Sequence, residues 1–219
     1  MKNKRAEQIA AKRRHRKQLS KRWPEPNLER RVAELVEKPS ILIVCEGENT
    51  EPSYFNQFRL SSATVKPVGE GYNTISLVKR AVQLEKESDY DQVWCVFDKD
   101  DFNETDFNSA LRIAESQNFR VAYSNQSFEY WLILHFDDHQ GGGMHRKDYN
   151  GKINELLKPF SVTFDGNGSK RVREYFFELL DGIDLRTQNR RIDLAIARAE
   201  RNYNHFAHMN PAREESSTT

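Results

Sequence analysis

Three carboxylates directly follow two apolar segments of the chain. Glu46 follows ILIVC (41–45), and Asp98 and Asp100 follow VWCVF (93–97). In an extended strand residues two apart point the same way, so Asp98 and Asp100 share a direction that Lys99 does not. Gathered carboxylates repel one another and lose hydration, and a hard divalent cation such as Mg²⁺ removes that cost. The pattern predicts a metal site if the two strands are neighbours; otherwise the acids only cap loops and helices.

The apolar segments alternate with helical patterns along the first two thirds of the chain. Strands are predicted at 41–45, 63–68, 93–97 and 119–124, and a helical pattern follows each of them, the last at 127–136. Continuous apolar strands that alternate with helices indicate an α/β fold, a Rossmann-like parallel sheet flanked by helices on both faces. Ligands of such sheets bind beyond the carboxyl ends of the strands, where the acids lie. Gly47, directly after Glu46, permits a sharp turn or the close approach of a phosphate.

The C-terminal third has a different character. Helical patterns occur near 150–158, 169–181 and 190–207, and we expect no strand there and a frayed end at NPAREESSTT. The sequence therefore predicts three parts: a partly disordered basic arm (1–38), an α/β domain (39–137) and a helical C-terminal region (138–219).

The charge of the chain is distributed unevenly. The first 22 residues contain ten Lys or Arg and one acid, whereas the remainder contains 24 basic and 32 acidic residues. A basic arm on a mildly acidic body is an electrostatic pattern typical of nucleic-acid binding, although a solvated tail has the same composition. The nucleic-acid contacts are predicted at five residues: Lys12, Arg13, Arg14, Arg16 and Lys17.

Cellular location is predicted from what the sequence lacks. The chain has no apolar run of membrane-spanning length, and its basic start lacks the apolar core of a secretory signal. Both cysteines, Cys45 and Cys95, fall inside predicted buried strands. We therefore expect a cytoplasmic protein without a membrane partner.

Four segments, in order, resemble a known family. They are IVCEGENTEPSYF, VWCVFDKDDF, SNQSFEYWLILHF and the late Asn210–Pro211, preceded by the basic arm. A first strand ending in Glu-Gly and a later strand ending in Asp-x-Asp resemble the Toprim pattern of topoisomerases, primases and certain nucleases. The full set is similar to the RloB-like branch of Toprim proteins, which is associated with bacterial defence and abortive infection. The chain departs from the family at its C-terminus, where NPAREESSTT replaces NPST-like text.

The resemblance implies roles for individual residues. Glu46 would be the acid–base residue, and it would bind Mg²⁺ or Mn²⁺ together with Asp98 and Asp100. Glu129 could bind a second ion or hold a basic side chain, or it could simply be an acid at a helix N-terminus. Three further candidates are Glu51, Asp101 and His135, the last as a general acid.

The sequence therefore favours a metal-dependent nuclease acting on DNA, tRNA or another RNA in anti-phage defence. The alternative is a non-catalytic nucleic-acid-binding or regulatory subunit, whose acidic residues are only structural. An unregulated nuclease would damage its own host, and the sequence lacks the Gly-rich phosphate loop of an ATPase. The resemblance points to a separate AAA or ABC-type ATPase as the partner.

Overall fold

The computed structural model describes residues 3–22, 38–67, 74–100, 103–140, 142–206, 208–213 and 217–219, with the backbone alone at 3, 5, 6 and 16–22. Residues Met1–Glu37 form one compact unit and Lys38–Thr219 form another. In the first unit, Asn3–Arg22 is a single helix, α1, which has no apolar stripe and exposes Ile9 together with those charged side chains that the structure describes. A helix that is polar on every face gains little from packing, which fits its assignment to a separate unit.

The second unit is built on a sheet of five strands: β1 (Ile41–Cys45), β2 (Ala63–Pro67), β3 (Gln92–Lys99), β4 (Arg120–Asn125) and β5 (Ser217–Thr218). Their order in the sheet is β2-β1-β3-β4-β5. Pairing is parallel among the first four strands and antiparallel between β4 and β5. The predicted α/β fold with a Rossmann-like parallel sheet is confirmed, and one short antiparallel strand, β5, lies at its edge.

Seven helices of the second unit lie within the described residues. They are α2 (Thr50–Asn56), α3 (Thr74–Glu85), α4 (Glu104–Ser116), α5 (Glu129–Leu134), α6 (Arg146–Leu157), α7 (Glu174–Asp181) and α8 (Arg191–Phe206).

Both faces of the sheet are covered, which explains why its central strands are apolar almost throughout. On one face, Leu42 and Val44 pack with Leu77 of α3 and Phe107 of α4. On the other face, the core is formed with α2 and α5–α8, and it includes both Cys45 and the aromatic side chains of α5. This second face also holds an apolar cavity of about 510 Å³, lined in part by aromatic residues of α2 and α5.

The C-terminal helices belong to the same compact unit as the sheet. Tyr149 and Ile153 of α6, Phe176 of α7 and Ala195 of α8 are buried in one core with Tyr130 of α5. The parts predicted as 39–137 and 138–219 therefore both lie within the compact unit Lys38–Thr219.

The expectation of a frayed end without a strand is wrong at Ser217 and Thr218, which form β5 and are buried. Their partners are the last residues of β4: the Ser124 and Thr218 hydroxyls lie 2.9 Å apart, and Asn125 Nδ2 donates to Ser217 Oγ at 3.3 Å. Pairing at this end depends on backbone groups and on short polar side chains that hydrogen-bond to one another. The sequence therefore shows no strand pattern here.

Candidate functional site

Glu46 lies beside Asp98, because β1 and β3 are neighbours. Cys45 is in register with Val96, and the next amide, that of Glu46, donates to the Val96 carbonyl at 2.9 Å. The Asp98 amide in turn donates to Glu46 Oε2 at 3.1 Å. The adjacency that the sequence required for a shared site is therefore present.

The electrostatics of Glu46 show that other carboxylates are close. The pKa of Glu46 is raised to about 7, chiefly by burial and also by the charge of Asp100, while the Asp98 amide and Arg146 act in the opposite direction. Burial also raises the pKa of Asp98 well above its usual range, and the charges of Glu51, Glu129 and Glu46 add to the effect. These acids form one group, called here the acidic cluster: Glu46, Glu51, Asp98, Asp100 and Glu129.

Glu51 is a more central member of the acidic cluster than the sequence suggested. It lies in the first turn of α2 with only 5% of its surface exposed. Burial raises its pKa to about 7, and the charges of Glu129 and Glu46 contribute, although hydrogen bonds from its own amide and that of Gly47 oppose the shift. A Cβ at Gly47 would lie 2.4 Å from Glu51 Oε2. The glycine after Glu46 therefore makes room for the Glu51 carboxylate.

Glu129 reaches the acidic cluster from the first residue of α5. Its carboxylate accepts a hydrogen bond from the Ser127 hydroxyl, and its charge raises the pKa of both Asp98 and Glu51. One role that the sequence left open for Glu129 was to hold a basic side chain. The described side chains show no such contact, and the Glu129 carboxylate faces other acids.

Asp100 stands at the side of the acidic cluster and already has a cationic partner. Arg146, the first residue of α6, donates from Nη1 to Asp100 Oδ2 at 2.7 Å. Lys99 is buried and donates from Nζ to the Asp100 carbonyl at 2.7 Å. Asp101, the next candidate along the chain, lies outside the described residues.

The chemistry of the acidic cluster suits Mg²⁺ or Mn²⁺, since both are hard cations that take carboxylate oxygens. Within the described residues, however, no three His, Cys, Asp or Glu side chains already stand in an arrangement that could hold a metal ion. Binding of an ion would therefore require carboxylates to turn toward a common point, and at Asp100 the ion would compete with Arg146.

His135 is a core residue in the structure. It is fully buried, its Nδ1 lies 2.9 Å from the Trp131 carbonyl, and its ring packs against Trp131 and Tyr54. Its pKa is lowered to about 3, chiefly by burial and also by the charges of Arg198 and Arg191, although the hydrogen bond to Trp131 opposes the shift. Because its ring is enclosed by aromatic side chains and its Nδ1 contacts the Trp131 carbonyl, the geometry does not favour His135 as a general acid.

The predicted nucleic-acid residues lie on α1. Lys12, Arg13 and Arg14 are exposed there, and the helix also includes Arg16 and Lys17. In the second unit, Arg190 pairs with Asp181, Arg186 pairs with Asp184, and Arg191 is buried over Phe136 and Phe160. Sequence reasoning missed Arg146, because nothing in the letters HRKD indicates which acid a basic residue will meet.

Comparison with known proteins agrees with the geometry at the level of the family. The model of the RloB-like protein family matches residues 41–219, from β1 to the C-terminus. The chain belongs to the RloB-like family. No curated protein and no solved structure matches it. The matched region of this RloB-like chain contains every residue of the acidic cluster and the C-terminal strand β5.

No helix in the described parts of the chain is long and apolar enough to span a bilayer.

Proposed function

We propose that this RloB-like protein is a metal-dependent nuclease of the Toprim class that cleaves phosphodiester bonds in DNA or RNA during anti-phage defence. The observation that carries the proposal is the acidic cluster at the carboxyl ends of β1 and β3. Burial and mutual repulsion raise the pKa of Glu46, Glu51 and Asp98, so ionising these carboxylates without a bound cation costs free energy. Family membership supports the assignment but does not itself establish the chemistry.

Each acid would have a role in this chemistry. Asp98, Asp100 and Glu129 would hold the ion, together with Glu46 or Glu51. A bound Mg²⁺ or Mn²⁺ supplies Lewis acidity to the phosphoryl oxygen. Glu46, whose pKa is raised to about 7, is suited to accept and return a proton near neutral pH. The exposed bases of α1 would attract the polyanionic substrate.

The test is cleavage by the purified full chain of plasmid DNA and of bulk tRNA, each with Mg²⁺, Mn²⁺ or EDTA. We expect cleavage of one substrate with either ion and none with EDTA. Glu46→Gln should slow it by about 100- to 10,000-fold, the usual contribution of a general acid–base residue. Asp98→Asn should abolish it, and Asp89→Asn, which changes an exposed acid before β3, should have no effect. Equal cleavage by wild type and Asp98→Asn would refute the proposal.

A second candidate is a non-catalytic nucleic-acid-binding or regulatory subunit. The observation that favours it is the absence, within the described residues, of a metal-holding arrangement of three side chains, with Asp100 engaged by Arg146. Under this alternative, Asp98→Asn would retain nucleic-acid binding and biological function.

The proposed ATPase partner follows from the family resemblance. Its test is to compare cleavage by the isolated chain with cleavage in the presence of the protein encoded by the neighbouring gene. Full cleavage by the isolated chain that does not change when this protein is added would exclude the partner.

A further inference from the structure

Arg146 is a basic side chain that contacts the acidic cluster. Its guanidinium holds Asp100 at 2.7 Å, and its charge also lowers the pKa of Glu46. The arginine side chain is 40% exposed and the aspartate side chain 18% exposed. The pair therefore lies at the mouth of the site, where one partner faces the cluster and the other faces solvent.

The position of Arg146 is fixed by a well-packed helix. Three residues later, Tyr149 is fully buried and its hydroxyl donates to the carbonyl of Asn125, at the end of β4. Ile153 and Leu157 continue the buried face of α6. The backbone of Arg146 is thus anchored beside the carboxyl ends of the strands, while its long side chain keeps the freedom to turn.

A divalent cation at the acidic cluster would change the balance at Asp100. The ion would take carboxylate oxygen that the guanidinium now uses, and its positive charge would repel the arginine. The released guanidinium needs an anion, and the anion that arrives with the substrate is a phosphate. The planar fork of an arginine can donate two parallel hydrogen bonds to phosphate oxygens.

We propose that Arg146 is the substrate-phosphate-binding residue of this site: it holds Asp100 in the metal-free protein and moves to the phosphate of a nucleic acid when a divalent cation takes Asp100. The inference rests on the proposed function, because it assumes a metal site at the acidic cluster. It adds a residue that binds substrate, and it gives the metal-free protein an ion pair that competes with the cation for Asp100.

A second arginine borders the same loop and serves as an internal comparison. Arg171 Nε donates at 3.3 Å to Asn49 Oδ1, three residues after Glu46, and the neighbouring Val172 amide donates to Ser53 Oγ at 2.8 Å. Arg171 is exposed and contacts an amide rather than a carboxylate. It can bind a flanking phosphate, but among the described residues it has no acid to release. Its removal should therefore affect nucleic-acid binding and leave metal binding unchanged.

The experiment compares wild type with Arg146→Ala, Arg146→Lys and Arg171→Ala in the full chain. Mn²⁺ affinity is measured by calorimetry without nucleic acid. Affinity for a short fluorescein-labelled DNA oligonucleotide, and for RNA of the same sequence, is measured with Ca²⁺, with the probe checked to be intact afterwards. The control is Arg59→Ala, which removes an exposed arginine paired with Glu174 between α2 and α7.

We expect Arg146→Ala to bind Mn²⁺ about two- to fivefold more tightly, because a competing cation is gone. Its affinity for the preferred oligonucleotide should fall by about 10- to 100-fold, the usual effect of removing a hydrogen bond to a charged group. Arg146→Lys should lie between, since it keeps the charge but not the fork. Arg59→Ala should match wild type in both measurements.

Unchanged oligonucleotide affinity in Arg146→Ala, with Mn²⁺ binding intact, would overturn this inference and leave the proposed function standing. Wild-type protein that binds no Mn²⁺ would overturn both. If Arg146→Ala fails to fold, Arg146→Lys decides: wild-type oligonucleotide affinity in that variant would show that a fork on phosphate is not used.

Discussion

Single buried carboxylates of the acidic cluster make the stability of the fold depend on pH. Between about pH 4.5 and about pH 7, folded Glu51 keeps a proton that the unfolded chain has lost, because burial raises its pKa to about 7. The folded state then binds more protons than the unfolded state, so the free energy of unfolding decreases as pH rises through this window. Glu46, whose pKa is also raised to about 7, lowers the free energy of unfolding over the same pH window.

Glu51→Gln tests this directly. The variant cannot ionise, so in EDTA we expect it to be more stable than wild type at about pH 8, by about 1–3 kcal/mol, and to lose this advantage at about pH 5. With Mn²⁺ at about pH 8 the order should reverse, because wild type keeps all its carboxylates for the ion. Thermal unfolding in each of these conditions measures the difference in stability between the variant and wild type, with Glu115→Gln on the exposed face of α4 as the control. A stability difference that is independent of pH would contradict the prediction.

His135 should make the protein sensitive to acid in the opposite direction. Its pKa is lowered to about 3 in the fold, so between about pH 6.5 and about pH 3 the unfolded chain binds a proton that the folded chain excludes. The stability that depends on neutral His135 is complete above about pH 6.5 and is lost as pH falls. The buried Nε2 has no hydrogen-bond partner among the described residues, so nothing there compensates for a charge.

We therefore expect His135→Leu to differ little from wild type at about pH 7.5, where the lost hydrogen bond to Trp131 offsets the removal of an unpaired buried nitrogen. At about pH 5 the variant should gain about 1–2 kcal/mol relative to wild type. Urea unfolding at both pH values measures the two differences. Equal differences would show that His135 is protonated as easily in the fold as in the unfolded chain.

The residues of the site could be predicted from sequence only where a local pattern marked them. Glu46, Asp98 and Asp100 end apolar strands, and the register of β1 on β3 then brings Glu46 beside Asp98. The sequence made Glu51 only a further candidate, because its burial depends on packing that no short segment contains. Arg146 lies 46 residues from Asp100, and their pairing is a product of the tertiary fold.

Among the elements, strand and helix periods predicted the parallel sheet, but they could not predict β5. Two polar residues are too short for a period, and their pairing is decided by backbone groups at the free edge of β4. The family match extends over this end of the chain, which is consistent with a structural role for β5.

Removing β5 should therefore loosen β4. A chain that ends at residue 216 loses the hydrogen bond from the Thr219 amide to the Tyr123 carbonyl at 3.0 Å and the pairings of Ser124 and Asn125. We expect faster amide hydrogen exchange at 123–125 and a decrease of about 1–3 kcal/mol in the free energy of unfolding. The double variant Ser217→Ala, Thr218→Val keeps the backbone pairing and should be destabilised less. Unchanged exchange after truncation would mean that β5 does not pair in solution.

At the scale of the whole molecule, the chain combines a basic helix with an acidic body. Residues Lys38–Thr219 form a compact unit by themselves, and α1 belongs to the other unit. The acidic body carries the proposed metal site, and its own net charge repels a polyanion at long range. The proposed binding of nucleic acid would then depend largely on the arm, where Lys12, Arg13 and Arg14 are exposed.

Deleting residues 1–22 should separate substrate binding from folding. The truncated protein should unfold at nearly the same temperature as the full chain, because the arm lies outside the compact unit Lys38–Thr219. Its affinity for nucleic acid should fall, and the slope of log K against log salt should become shallower by about 0.7 to 0.9 for each phosphate that the arm no longer neutralises. Fluorescence anisotropy with a labelled oligonucleotide over a salt series gives the slope. Replacement of Lys12, Arg13 and Arg14 by Gln, which leaves the helix in place, should reproduce part of the change. A truncated protein with the salt slope of the full chain would show that α1 does not contact nucleic acid, and attraction would then have to come from basic residues of the body such as Arg146 and Arg171.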